Sequence, residues 1–130
     1  MDVDDDGRCF TLISLELLSE GNSIDVYSFE KENREYFEHS LPPRPANYFD
    51  LEGFKEITRE LLTEQTNRDV YMHLIRDSQG ALVGRINLSV LENDQKTAEL
   101  GYRIGENYTN LGYASEAVRL VLDKRFIFMV

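Results

Sequence analysis

The sequence predicts an α/β fold of the α+β type, in which a mostly antiparallel sheet is laid down in the order β-α-α-β-β-β-α. Three observations carry that reading. Two stretches in the first half space their apolar residues at helical intervals. Three stretches in the second half alternate, or run apolar, between turn signals. A last amphipathic stretch follows a polar, turn-rich connection.

Each element has its own justification. Cys9 to Leu18 is apolar and rich in β-formers, which predicts a first strand ended by Glu20-Gly21-Asn22. From about Ser23 to Glu38, Val26, Phe29, Tyr36 and Phe37 recur near helical spacing with charges between them, predicting one amphipathic helix. Leu41-Pro42-Pro43-Arg44-Pro45 cannot continue it, because proline lacks the amide and biases its predecessor to extended geometry. A second helix is predicted from Asp50, a suitable N-cap, to Thr66, with Phe54, Ile57, Leu61 and Leu62 on one face.

Val70 to Arg76 and Leu82 to Val90 read as strands joined by Asp77-Ser78-Gln79-Gly80 in a hairpin. The second alternates, with Leu82, Gly84, Ile86, Leu88 and Val90 on one face and Val83, Arg85, Asn87 and Ser89 on the other. After the polar turn Glu92 to Lys96, Thr97 to Ile104 alternates again, placing Ala98, Leu100, Tyr102 and Ile104 opposite Thr97, Glu99, Gly101 and Arg103. A third helix is predicted from Ala114, Ala117, Val118, Val121 and Leu122.

Length and composition narrow the classes of function. A chain of 130 residues with 42% hydrophobic residues is read as a single domain, residues 1–130, whose acidic residues 1–8 form a disordered tail. One cysteine, Cys9, cannot form an internal disulfide. With His39 and His73 the only imidazoles, a metal site of His and Cys lacks ligands, and no metal is expected. No basic and apolar leader and no bilayer-length apolar run are present, so the expectation is a reduced, cytoplasmic protein without a membrane partner. Acidic residues number 24 against 14 basic, a net charge of −10, which disfavours direct contact with nucleic acid. Such a balance draws cationic partners or only maintains solubility.

The stretch Thr109-Asn110-Leu111-Gly112-Tyr113-Ala114 lies between a predicted strand and helix. Free amides at a helix start, backed by the helix dipole, make a candidate pyrophosphate site, although glycine there also serves ordinary turns. It is neither a Walker loop, since no Lys-Ser/Thr follows the glycine, nor a triple-glycine dinucleotide turn.

These residues resemble the GNAT superfamily of acetyl-coenzyme A dependent N-acetyltransferases, whose signature Gln/Arg-x-x-Gly-x-Gly/Ala opens the helix after the fourth strand. Gly112 and Ala114 match its last two fixed positions. Thr109 occupies the first, so the backbone part of phosphate binding stands without the usual side chain. Gly80 to Leu88 resembles the family's second hairpin and Ala98-Glu99-Leu100-Gly101-Tyr102-Arg103-Ile104-Gly105 its fourth strand. Asn33-Arg34 with Leu41-Pro42-Pro43-Arg44-Pro45 resembles the RimJ/RimL-type branch, whose best-known members acetylate the N-terminal alanine of ribosomal proteins.

The resemblance implies transfer of acetyl from acetyl-CoA to a primary amine, either a protein N-terminus, such as that of a ribosomal protein, or a small amine. Leu111, Gly112, Tyr113, Ala114 and Ser115 would supply backbone donors to the cofactor, and Tyr102, Arg103 and Ile104 would follow the pantetheine. A backbone amide of Tyr102 to Ile104 would hold the oxyanion, with Gly101 permitting a bulge that frees it, or merely relieving crowding under a helix. Glu99 is the catalytic base candidate, acting through water; the alternative is a cross-face ion pair with a neighbouring arginine.

Tyr108 and Asn107 could line the pantetheine arm, although Tyr108 suits half-buried packing equally. Cys9 reads as a small hydrophobe, His39 as the exposed end of a helix, and His73 as structural or substrate-facing. Arg34 and Arg44 either border the acceptor or are surface charges.

Family members continue through a fifth strand, a fourth helix that often carries a tyrosine acid, and a final hairpin. This sequence ends at Val130, so the expectation is a C-terminally truncated domain, with Phe126 to Val130 a helix end, a strand stub or a non-native tail. Two readings follow. One is an acetyltransferase. The other is a catalytically inactive module that binds CoA or self-associates as a homo-oligomer through its open sheet edge.

Overall fold

The computed structural model describes the backbone of residues 2–3, 9–10, 13–90 and 98–129 and the side chains of residues 13–90 and 98–123. Its central sheet has four antiparallel strands in the order β3 (Ile13–Leu17), β4 (Val70–Asp77), β5 (Leu82–Val90) and β6 (Ala98–Ile104). Helices α1 (Ser23–Glu32), α2 (Arg34–Glu38) and α3 (Leu51–Thr66) precede β4, and α4 (Tyr113–Met129) follows β6. The α+β class and the order of the main elements agree with the sequence reading.

The first strand is shorter than expected. Among its described residues Ile13–Leu17 joins the sheet, whereas Cys9–Phe10, here β2, pairs with Asp2–Val3, here β1, in a separate two-stranded ladder. The rest of the expected disordered tail, residues 1 and 4–8, lies outside the described residues, as do the polar turn at 92–96 and Thr97.

The expected single helix from Ser23 to Glu38 is two. Asn33 breaks it, with φ −103° and ψ 10°. Its Nδ2 donates to the Phe29 carbonyl at 3.0 Å and its Oδ1 accepts from the Glu106 amide at 2.9 Å. A side chain that bonds the backbone competes with the helical ladder, and here it also fastens the α1–α2 corner to the chain leaving β6.

The proline loop ends in a short 3₁₀ turn, Ala46–Phe49, that the sequence does not signal. α3 is seated on it through Gly53, where any Cβ would collide with the carbonyl of Asn47. Asp50 caps α3 as expected, accepting from the Gly53 amide at 3.1 Å.

Strand alternation divides the core between the two faces of the sheet. On the α4 face, Tyr71, Ile75, Val83, Ile86 and Leu88 pack with Ala117 and Val121. On the other face, Met72 and Leu74 pack with Leu18, Val26, Tyr48 and Phe54. The alternation expected for β5 fails at its start. Arg76 faces Leu82 and Ile75 faces Gly84, so Val83 is an extra residue and passes to the α4 side while Leu82 joins the other.

The bulge expected at Gly101 is absent, because β6 keeps unbroken register with β5 from Gly84↔Ile104 to Val90↔Ala98. Crowding is absent too, since a Cβ on Gly101 would meet nothing within 4 Å. Phe126 to Met129 continue α4, a helix end rather than a strand stub, and Val130 lies outside the described residues.

Candidate active site

The loop from β6 to α4 is shaped by two left-handed residues, Asn110 at φ 63° and Gly112 at φ 82°. They turn the chain so that α4 starts at Tyr113, and its first ladder bond runs from the Glu116 amide to the Gly112 carbonyl at 3.2 Å. The amides of Tyr113, Ala114 and Ser115 precede that ladder and carry the positive end of a 17-residue helix. Glu116, the acid of the first turn, is held by Arg119 through contacts of 2.6 and 3.1 Å, which offsets its charge there.

A cavity of about 420 Å³ opens at this loop. One wall is Gly112, Tyr113, Ala114 and Ser115; another is Tyr102, Arg103 and Ile104; Tyr36, Phe37 and Leu41 of α2 and its following loop close the third. The structure therefore brings together every residue singled out for cofactor contact except Leu111, which is exposed and outside the lining. Tyr108 lines the cavity and also packs against the α4-side core, whereas Asn107 is exposed and lies outside it.

The edge of β6 faces this cavity with usable amides. The Gly105 amide donates to the Val83 carbonyl at 2.9 Å, so antiparallel alternation turns the amides of Tyr102 and Ile104 away from β5.

Across Leu41, Tyr102 and Arg103, which belong to both, lies a second cavity of about 250 Å³, bounded further by Arg44, Arg85, Asn87 and Gly101. Beneath it is a polar cluster that the sequence did not disclose. Glu30, 1% exposed, accepts on Oε1 from Arg44 at 2.7 Å and from Arg85 at 3.0 Å, and on Oε2 from Arg103 at 3.5 Å. Arg85 also donates to the Tyr48 hydroxyl at 3.0 Å. Burial, reinforced by the Glu30 charge, holds the Tyr48 phenol above the ordinary tyrosine range against the opposing pull of Arg85 and Arg44.

The Arg103 guanidinium is pushed below its usual value, first by burial and then by Arg44 and Arg85, although Glu30 opposes this. Arg44 stacks over the Tyr48 ring and Arg103 over the Phe37 ring, at 4.8 and 4.9 Å from the centroids.

The remaining candidates separate cleanly. Glu99 is exposed, stands opposite Ser89, and shares its face with Gly101 and Arg103. The carboxylate partner of Arg103 is Glu30, and among the described residues Glu99 forms no ion pair. Of the two arginines left open, Arg44 belongs to the buried cluster, while Arg34 is a surface residue paired with Glu38 and stacked on Phe49. His73 is buried between Leu17 and Ile86 within the sheet, and His39 is exposed at the end of α2. The described residues contain no group of three or more His, Cys, Asp or Glu suited to a metal, and no helix long and apolar enough to cross a membrane.

Glu30, Tyr48, Arg85 and Asn87 were missed because they sit where a linear reading expects solvent. One signal could have found them. Arg85 and Asn87 are on a central strand, and helices both before and after the three strands leave neither sheet face free.

Residues 17–127 match a family described as an acetyltransferase (GNAT) domain. A probable N-acetyltransferase, YjcK of Bacillus subtilis (strain 168), is 29% identical over 99 residues, which is 75% of this chain and 55% of that protein. Among solved structures, the ribosomal-protein-S5-alanine acetyltransferase of Vibrio fischeri superposes with a TM-score of 0.79 at 18% identity, covering 92% of this chain and 66% of that one. Mycobacterium smegmatis RimJ in complex with CoA-disulfide gives 0.74 at 18% identity, covering 88% of this chain and 56% of that one. Spermidine N-acetyltransferase of Vibrio cholerae, in complex with CoA and spermine, gives 0.65 at 18% identity, covering 88% and 64%. The chain thus spans about half the length of the curated relative and under two thirds of these structures.

Proposed function

Since the chain belongs to the acetyltransferase (GNAT) domain family, we propose that it transfers acetyl from acetyl-CoA to a primary amine, with the larger cavity for the cosubstrate and the smaller for the acceptor. The observation that carries this is the junction of the two cavities at Leu41, Tyr102 and Arg103, next to the outward amides of Tyr102 and Ile104. A thioester carbonyl and an amine meet there. The new bond joins the amine nitrogen to the acetyl carbon, the carbon–sulfur bond breaks, the sulfur leaves as thiolate, and the nitrogen loses a proton.

The amides of Tyr113, Ala114 and Ser115 suit a pyrophosphate, since an anion at a helix start is held by open N–H groups and the dipole together. Leu111 is exposed beside the same turn and would contribute its backbone. The amide of Tyr102 or Ile104 would hold the developing oxyanion. Glu99 lies on the face of the acceptor cavity, two residues before Gly101, so as a base it works through water rather than by direct contact. The acceptor is a protein N-terminus or a small amine; the names of the neighbours above support either.

The decisive measurement is thiol release from acetyl-CoA with a panel of N-terminal peptides and polyamines, run beside calorimetry with CoA. Turnover with at least one amine is expected. Gly112→Val forces a branched side chain into a left-handed backbone and should weaken CoA binding by about tenfold. Unchanged affinity in that variant, or CoA binding with no turnover of any amine, would remove respectively the phosphate-turn assignment and the catalytic one.

A second reading has one observation in its favour. β6 ends the sheet among the described residues, and its Tyr102 is exposed, so two copies could pair along that edge. A monomer in light scattering at high concentration would eliminate it.

A further inference from the structure

We infer that the smaller cavity selects acceptors in which a carboxylate accompanies the amine, a specificity that rests on the acetyl-transfer reading above and names its substrate class. Its charge is the first argument. Every charged residue lining it is an arginine, namely Arg44, Arg85 and Arg103, in a chain with 24 acidic residues against 14 basic. The three guanidinium groups share the single carboxylate of Glu30, which already uses both oxygens, and the Arg103 contact is the longest at 3.5 Å. The cluster is left cationic, so a further anion relieves mutual repulsion in a setting poorer in water than the surface.

The second argument is the pair of buried polar atoms that lack partners. Arg44 Nε is a donor without an acceptor, and Asn87 Oδ1 is an acceptor without a donor. Both residues line this cavity, standing between it and the neighbouring one bordered by Glu60 and Glu64. Buried polar groups are ordinarily satisfied, and these two are complementary to one small molecule that brings an oxyanion and an N–H together. A polyamine would satisfy Asn87 but place its remaining charges against arginine.

The third argument is space and position. Gly101, opposite Asn87, leaves open room where a side chain would stand, and the cavity touches the cosubstrate cavity through Leu41, Tyr102 and Arg103. The neighbouring cavity behind Arg44 and Arg85 is bordered by Glu60 and Glu64 but shares no lining residue with the cosubstrate cavity. It adjoins the smaller cavity through Arg44, Arg85 and Asn87 but does not adjoin the cosubstrate cavity.

The test is calorimetric titration of the full chain, saturated with CoA, with three tripeptide amides that differ only in the second residue: Ala-Asp-Ala, Ala-Asn-Ala and Ala-Lys-Ala. The aspartyl peptide should bind about tenfold more tightly than the asparaginyl one, and the lysyl peptide most weakly. In Arg44→Gln the aspartyl advantage should largely disappear. In Asn87→Asp, where the new carboxylate sits among arginines and keeps the fold paired, it should be lost or reversed in favour of the lysyl peptide. A purely structural arginine cluster would leave the order of the three peptides untouched in both variants.

Equal binding of the aspartyl and asparaginyl peptides, tighter binding of the lysyl peptide to the unaltered chain, or no binding of any, overturns the inference. Thiol release is scored separately. Turnover without carboxylate preference sinks the inference and spares the transferase reading, while preference without turnover does the reverse.

Discussion

Glu30 is the residue on which the second face of the sheet depends. It occupies the buried side of α1 beside Val26 and Phe29, where a carboxylate is tolerated only because Arg44, Arg85 and Arg103 converge on it. Removing one partner of a buried ion pair leaves uncompensated charge, and here it leaves three like charges. Glu30→Ala is therefore expected to lower unfolding free energy by about 3–5 kcal/mol, with Glu30→Gln also destabilising. Denaturant titration of purified variants measures this, and a loss under about 1 kcal/mol would mean that the arginines are solvated. Helical periodicity alone could have located Glu30 on the buried face. Its partners could not be found that way, because they come from a proline loop and two strands far along the chain.

Among the elements, α3 and the short turn before it form the platform that carries Tyr48. Gly53 lets the helix settle on Asn47, Asp50 caps it, and Tyr48 meets Phe54 edge-on at 5.2 Å and accepts a bond from Arg85. Gln65 anchors the other end, donating to the Leu18 carbonyl at 2.9 Å and accepting from the Met72 amide at 3.0 Å. Loss of the cap in Asp50→Ala should cost about 1 kcal/mol. Gly53→Ala should cost more, because backbone must move to admit the methyl group. Thermal unfolding of the two variants checks the order, and equal stability of Gly53→Ala with the parent would contradict the seating described. The cap was legible in the sequence. The requirement for glycine was not, since it arises from a turn that local propensity does not announce.

For the molecule as a whole, stability must fall in alkali. The folded Tyr48 phenol has its affinity for the proton raised chiefly by burial, whereas in the unfolded chain it ionises near the usual value of about 10. Stability from this group is thus fully present below about pH 10 and is lost as pH rises through the folded value. Denaturant titrations from about pH 9 to 11 should show that decline, and Tyr48→Phe should flatten it. An identical pH dependence in the variant would assign the effect elsewhere.

Global charge and site charge also part company. The chain carries −10, a balance that by itself favours cationic partners, yet its smaller cavity is lined by arginines alone among charged residues. Net charge sums the whole surface, whereas recognition depends on the few groups that face a ligand at short range.

Sequence by itself determined the class of fold, the order of its main strands and helices, the capped start of α3, and the glycine turn before α4. These follow from periodicity, turn chemistry and propensity within a few neighbouring residues. Tertiary structure alone decided that Asn33 divides the first helix and that Val83 shifts the register of β5. It also decided that β6 runs without a bulge and that Glu30, Arg44, Arg85 and Arg103 meet. Each of those outcomes depends on contacts between residues distant in the chain, where the energy of burying a polar group or admitting an extra residue is set by whatever element packs against it.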